Sequence, residues 1–210
     1  MRVLDLFCGK WGIGGAFGAR GHSVVGVDLK KYCEPPANCE LWIWDVLNLT
    51  SDYVKRFHFA WASSPCEEFS VHGMKHFFTK PKYPEMGIRL FNHTRSIFEQ
   101  SGVPYVMENV RSAQQFVGAA VHHSGPYFLW GNAVPPLIPA RVRNKLITLA
   151  GGEYARAKKH GNIREVRNSK PYKNASDAAV IPAELANCVA DYAERICERG
   201  STAAIYEAQK

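Results

Sequence analysis

Apolar residues in this chain come mostly in short runs separated by turn-forming residues, not along one sustained helical stripe. Arg2–Phe7, Ser23–Asp28, Leu41–Trp44, Phe59–Ala62 and Pro104–Met107 read as strands, and Tyr127–Trp130 as a sixth. A glycine-rich turn and a helix through about Arg20 follow the first run. Ile88, Phe91, Arg95 and Phe98 set helical spacing over Ile88–Gln100. Strands alternating with helices imply a mostly parallel, doubly wound, Rossmann-like α/β sheet. In that architecture Phe7, Asp28, Asp45, Cys66 and Glu108 all fall at one sheet edge, the edge where such folds bind ligands. After Trp130 the pattern degrades. Gly131–Lys173 is rich in Pro, Gly and basic residues, with only Lys145–Ala150 strand-like, and Pro182–Arg199 reads as a closing amphipathic helix.

The length of 210 residues suits one domain with a small appendage. The expected division is a main domain over 1–130, a small basic segment over 131–178, and a helix over 179–210 that returns to the first domain. No apolar run approaches the ~20 residues of a membrane span. The N-terminus enters a strand pattern at once, so no cleavable signal peptide is expected. Six scattered cysteines read as reduced thiols of a cytoplasmic protein. Cys33 and Cys39 lack zinc-knuckle spacing, and His72 with His76 supplies two ligands at most, so no metal is expected.

Charge changes the picture more than composition does. Between Arg141 and Lys173 stand ten Lys/Arg against Glu153 and Glu165, so this segment carries +8 and the rest of the chain, whose total is +7, sums to −1. A basic segment beside a near-neutral domain is the electrostatic footprint of polyanion binding. Candidate chemistry lies at the strand ends. Pro65 fixes its own φ and biases Ser64 toward an extended conformation, which stiffens the turn that presents Cys66, a candidate nucleophile. Asp5-Leu6-Phe7-Cys8-Gly9-Lys10-Trp11-Gly12 is a strand running into a turn that lets the backbone approach a ligand closely. Asp28, ending the next strand, is placed to accept hydrogen bonds from ribose hydroxyls. These features fit an adenosine-containing ligand, and they do not separate NAD from S-adenosylmethionine.

Asp5-Leu-Phe-Cys-Gly, Pro65-Cys66-x-x-Phe69-Ser70 and Glu108-Asn109-Val110, in that order and spacing, resemble the C5-cytosine DNA methyltransferases, above all their compact phage- or prophage-type members. The similarity covers roughly residues 1–130, with a weaker match at the C-terminal helix. It implies a class I S-adenosylmethionine-dependent methyltransferase fold, base flipping, and methyl transfer to cytosine through a covalent bond between Cys66 and carbon 6. S-adenosyl-L-homocysteine would be the product, and the setting the cytoplasm of a bacterial or phage-infected cell. By the resemblance Pro65, Cys66, Glu108 and Asn109 form the catalytic set. Cofactor contacts would come from Asp5, Phe7, Gly9, Gly12, Asp28 and Asp45, with Val180 and Ile181 from the segment before the last helix. Gly131–Pro136 is the alternative source of that last cofactor motif.

Nucleic-acid contacts are expected from Ser70, Lys75, Arg89, Arg141, Arg143, Lys158, Lys159, Arg164 and Arg167. The chain departs from the family pattern in three places. Lys10-Trp11 separates two glycines where one residue is usual. The glutamine-x-arginine-x-arginine motif is not evident where His122–Trp130 stands, and the recognition segment is far smaller than usual. Short or relaxed sequence specificity, or help from a protein partner, follows as an expectation. An RNA cytosine methyltransferase and a catalytically inactive nucleic-acid-binding relative are the alternatives.

Overall fold

The computed structural model describes residues 1–69, 84–138 and 180–208, with side chains to Arg199. Seven strands form one sheet: β1 (Arg2–Leu6), β2 (Ser23–Asp28), β3 (Cys39–Ile43), β4 (Phe59–Ser63), β5 (Tyr105–Asn109), β6 (His122–Ser124) and β7 (Tyr127–Trp130). Their order across the sheet is β3-β2-β1-β4-β5-β7-β6. This is the doubly wound order of Rossmann-like folds with one strand inserted before the last. The first five strands are parallel, with Leu6 beside Val27 and beside Ala62. The fold is therefore α/β, mostly parallel and Rossmann-like.

Helices cover both faces. The strand residues Leu4, Leu6, Ala60, Ala62 and Met107 pack with Phe91, Ile97 and Phe98 of α3 (Glu85–Ser101). On the other face Val3, Phe59, Trp61, Val106 and Leu129 pack with α1 (Gly12–Ala19) and with Leu185, Val189 and Ala193 of the long C-terminal helix α5 (Ala183–Ala208). Short helices α2 (Ser51–Val54) and α4 (Gln114–Val117) lie between. Strand residues thus alternate between two apolar cores, which is why these runs are apolar at nearly every position. Arg20 joins α1 to α5 through Asp191 at 2.6 Å and Glu194 at 3.1 Å, and His22 reaches Glu194 at 2.7 Å. Among the described residues no helix is long and apolar enough to cross a membrane.

The structure departs from the sequence reading at the last two strands. β7 runs antiparallel to β5, and β6, which the pattern did not predict, pairs antiparallel with β7. Only Gly125 and Pro126 separate them, and so tight a connection can join only antiparallel strands. β6 reads His-His-Ser and forms the sheet edge, where polar residues are at home. Smaller differences concern boundaries: β3 runs Cys39–Ile43 and not Leu41–Trp44, and β4 and β5 end one and two residues later than expected. β1 stops at Leu6 because Phe7 takes a left-handed φ of 58°, α3 begins at Glu85, and α5 continues to Ala208. Lys145–Ala150, Ser70, Lys75 and the basic residues Arg141, Arg143, Lys158, Lys159, Arg164 and Arg167 lie outside the described residues.

Candidate active site

The parallel strands bring their carboxyl ends to one edge. Phe7 follows β1, Asp28 ends β2, Asp45 follows β3, Cys66 follows β4, and Glu108 lies one residue from the end of β5. Glu108 stands directly beside Ser63 in the β4–β5 register. Cys66 is three residues beyond Ser63, so its backbone lies within roughly 10 Å along the chain of a residue neighbouring Glu108. The next side chain, Asn109, fastens this geometry. Its fully buried Nδ2 donates to both the carbonyl and the hydroxyl of Ser64 at 3.0 Å, while Oδ1 accepts the Val110 N–H at 2.8 Å. The turn that carries Pro65 and Cys66 is therefore tied to β5 at a residue adjacent to Glu108.

The turn is fixed from its far side as well. The Phe69 N–H donates to the Cys66 carbonyl at 3.1 Å, and the buried Phe69 carbonyl accepts from the Ser112 hydroxyl. Glu68 points toward α3, where its carboxylate accepts the Gly87 N–H at 2.5 Å. That contact places a negative charge near the start of a helix, where it is favoured. Glu67 is exposed.

Burial pushes the Glu108 carboxyl up to about 7, and a hydrogen bond from Ser63 opposes that only in part. Ser63 is itself held by the Trp61 indole N–H at 2.8 Å, which leaves its hydroxyl proton to donate. A carboxyl in this state is substantially protonated at neutral pH and can donate as well as accept. Two other cysteines are held as thiols. Burial raises Cys8 strongly, with Asp5 and Asp28 adding to it, and raises Cys39 to about 11. Both remain neutral thiols at ordinary pH.

At the β1 end the glycines divide into two kinds. A Cβ on Gly9 would meet only the Phe7 carbonyl oxygen, at an ordinary contact of 3.9 Å, and what favours glycine there is its left-handed φ of 48°. Gly12 and Gly14 face protein: a Cβ on Gly12 would sit 2.8 Å from the Ile181 nitrogen, and one on Gly14 2.7 Å from the Trp11 ring. Trp11, one of the two residues between Gly9 and Gly12, is 4% exposed. Its indole also fills the gap above Gly26, where a Cβ would lie 2.4 Å from the ring. Sequence reasoning saw the longer turn as a departure; the signal it missed was that Gly14 and Gly26 leave room for a large side chain. The Ile181 backbone thus touches the glycine turn, with Val180 beside it. Gly131–Pro136 begins at the opposite sheet edge, where Asn132 accepts the Tyr105 N–H at 2.8 Å and the Ala133 N–H reaches the Tyr105 carbonyl at 3.1 Å.

Each acid at this mouth has a definite structural partner. Asp5 is buried beneath the turn, accepts the Gly14 N–H at 2.9 Å, and is raised to about 7 by burial. Its carboxylate thus supports the turn from below. Asp28 accepts the Gly9 N–H at 3.0 Å and the Leu29 N–H at 2.8 Å, and remains half-buried. Asp45 caps a single 3₁₀ turn over Val46–Asn48 by accepting the Leu47 N–H at 2.9 Å. Beside Asp28 the side chains of Leu29 and Trp44 are exposed, and the Trp44 N–H donates to the Asp28 carbonyl at 3.0 Å. An uncrowded glycine, a carboxylate with lone pairs to spare, and exposed apolar side chains next to it fit the sugar and base of a nucleoside. Arg89 is exposed on α3. Among the described residues no group of three His, Cys, Asp or Glu could hold a metal ion.

No protein-family model and no curated protein sequence matches the chain. Solved structures similar to it include a DNMT2 variant from Spodoptera frugiperda, at 21% identity over 54% of this chain and 37% of that one, with a TM-score of 0.37. The methyltransferase EhMeth from Entamoeba histolytica aligns at 12% identity over 69% of this chain and 57% of its own, with a TM-score of 0.47. An imine reductase from Myxococcus stipitatus aligns at 13% identity over 99% of this chain and 63% of its own, with a TM-score of 0.28. The chain therefore spans less than two thirds of the length of each.

Proposed function

We propose that this chain is an S-adenosyl-L-methionine-dependent methyltransferase acting on carbon 5 of cytosine in DNA. The observation that carries the reading is the Asn109 clamp, which joins the Cys66 turn to the strand bearing a Glu108 that is substantially protonated near neutrality. Carbon 5 of cytosine is a weak nucleophile until something adds to carbon 6. In the proposed sequence the Cys66 thiolate forms the bond to carbon 6 while Glu108 donates a hydrogen bond to N3. Charge that develops in the ring is thereby stabilised where it appears. S-adenosyl-L-methionine, when bound, supplies an electrophilic methyl group and leaves as S-adenosyl-L-homocysteine. Carbon 5 takes that methyl group, and loss of its proton to a solvent base then lets the bond to Cys66 break, which regains the thiolate.

Asp28, Gly9, Leu29 and Trp44 would hold the adenosine end, with Phe7 at the mouth of β1. The antiparallel β7 is a departure from the plain dinucleotide-binding order, and a hydride-transfer reading leaves Cys66, Glu108 and Asn109 without a task. The reacting atoms lie inside a base stack, so the target must be flipped or single-stranded. The test is methyl transfer from labelled S-adenosyl-L-methionine to matched DNA and RNA, with the modified base identified by mass spectrometry. The reading expects 5-methylcytosine in DNA. Label in RNA alone moves the substrate to RNA, and label in neither refutes the activity.

A further inference from the structure

A protonated Glu108 can serve a cytosine ring only if its proton sits on the oxygen that meets the ring. A neutral carboxyl has one hydroxyl oxygen and one carbonyl oxygen, and a donor set against one of them makes that one the carbonyl. The sheet register supplies such a donor. Ser63 on β4 is directly opposite Glu108, and Trp61, two residues earlier, shares the same sheet face. The Trp61 indole N–H donates to the Ser63 hydroxyl at 2.8 Å, and Ser63 is hydrogen-bonded in turn to Glu108. An indole N–H can only donate, so the serine proton is left to point onward to the carboxyl.

Trp61 is 1% exposed, which makes it a fixed start for this chain of donors. Glu108 as a residue is not wholly enclosed, so an oxygen turned away from Ser63 can meet a ligand at the mouth. Other titratable groups share this face. Asp5 is directly opposite Trp61 on β1, Cys8 and Tyr127 belong to the same core, and His122 ends the row Glu108–Leu129–His122. Helix α1 carries no titratable residue, and Leu185, Ala186 and Val189 of α5, which pack here, are apolar. Burial and the Ser63 hydrogen bond are what set the Glu108 carboxyl.

We infer that Ser63, anchored by Trp61, is a positioning residue that holds the Glu108 proton on the oxygen turned away from β4, toward N3 of the target cytosine. The inference rests on the proposed function and adds to it the group that aims the acid. Without Ser63 the proton is shared between two oxygens, and for part of the time it points away from the base. A bond donated to the carboxyl also favours its charged form, so Ser63 keeps the proton releasable near neutrality against the effect of burial.

The experiment measures stability against pH, by chemical denaturation of the full chain, for the parent, Glu108→Gln, Ser63→Ala, and Ser63→Ala combined with Glu108→Gln. Subtracting each Gln chain from its partner cancels the titration of Asp5, Cys8, Tyr127 and His122 and leaves that of residue 108. In the parent pair the difference should level off near pH 7, and in the Ser63→Ala pair at a higher pH. Ser63→Ala should also lower kcat/KM for methyl transfer about 10- to 100-fold and move the alkaline decline in activity upward. Ser63→Thr keeps the hydroxyl and should restore both. If the unpaired Trp61 N–H unfolds Ser63→Ala, the same comparison in a Trp61→Phe background removes that donor as well. A level-off point that stays put or falls, in a chain that methylates, overturns the positioning role and leaves the methyl transfer standing. A falling point would mean that Ser63 accepts from the acid. A parent that methylates neither DNA nor RNA overturns the proposed function, and this inference with it.

Discussion

Without the Asn109 carboxamide, the Ser64 carbonyl and hydroxyl would be left inside the protein with no donor. Asn109→Ala should therefore cost about 1–3 kcal/mol in chemical denaturation, because buried polar groups lose their partners while water stays excluded. Methyl transfer should fall further than stability does, since the turn that aims Cys66 loses its anchor. Glu108 makes a prediction about pH. Its folded-state carboxyl lies near 7 against an ordinary 4.5. The proton it holds favours the folded state fully below about pH 4.5, and that contribution is lost as pH rises through about 7. Glu108→Gln should erase this component, so the stability difference between variant and parent should grow in the variant's favour from pH 4.5 to 8. The same substitution should lower kcat/KM by about 10²–10⁴-fold and remove the decline in activity expected above pH 7.

At the level of elements, the join between the glycine turn and the sheet depends on Trp11 fitting over Gly14 and Gly26. Trp11→Ala should destabilise by about 3–5 kcal/mol through the cavity it leaves. Gly26→Ala should be costly in the parent chain and less so in the Trp11→Ala background, where the Cys8 Sγ at 2.8 Å still crowds the added methyl, and denaturation of the double variant would show this. This join also marks the limit of what could be read in advance. The five parallel strands and the acids at their ends were legible because buried strands are apolar throughout and end abruptly at polar residues. Trp11 was seen only as an extra residue, since a pattern along the chain does not say which distant glycines a ring will cover. β6 was invisible for a similar reason: His-His-Ser has no strand signal, and only its pairing with Tyr127–Trp130 makes it one. The contacts of Ser63 and Ser64 were not foreseen because their partners lie 45 residues away on β5.

On the scale of the whole molecule, a near-neutral α/β domain is joined to a segment, Arg141–Lys173, whose charge of +8 exceeds the net +7 of the whole chain. If that segment binds the phosphate backbone, affinity for DNA should fall steeply with salt, by roughly 10³-fold between 50 and 200 mM for six phosphate contacts. Changing Lys158 and Lys159 to Gln should reduce the slope of log affinity against log salt by about 1–2 without altering methyl transfer at saturating DNA. Binding indifferent to salt would remove the basic segment from the account. The most direct measurement of the central claim uses DNA in which the target cytosine carries fluorine at carbon 5. No proton can leave that carbon, so the bond between Cys66 and carbon 6 cannot be released once methyl transfer has occurred. In the presence of S-adenosyl-L-methionine the account predicts a denaturation-resistant protein–DNA adduct whose modified peptide contains Cys66, absent in Cys66→Ala. A parent chain that methylates ordinary cytosine yet forms no adduct, or an adduct that persists in Cys66→Ala, would contradict it.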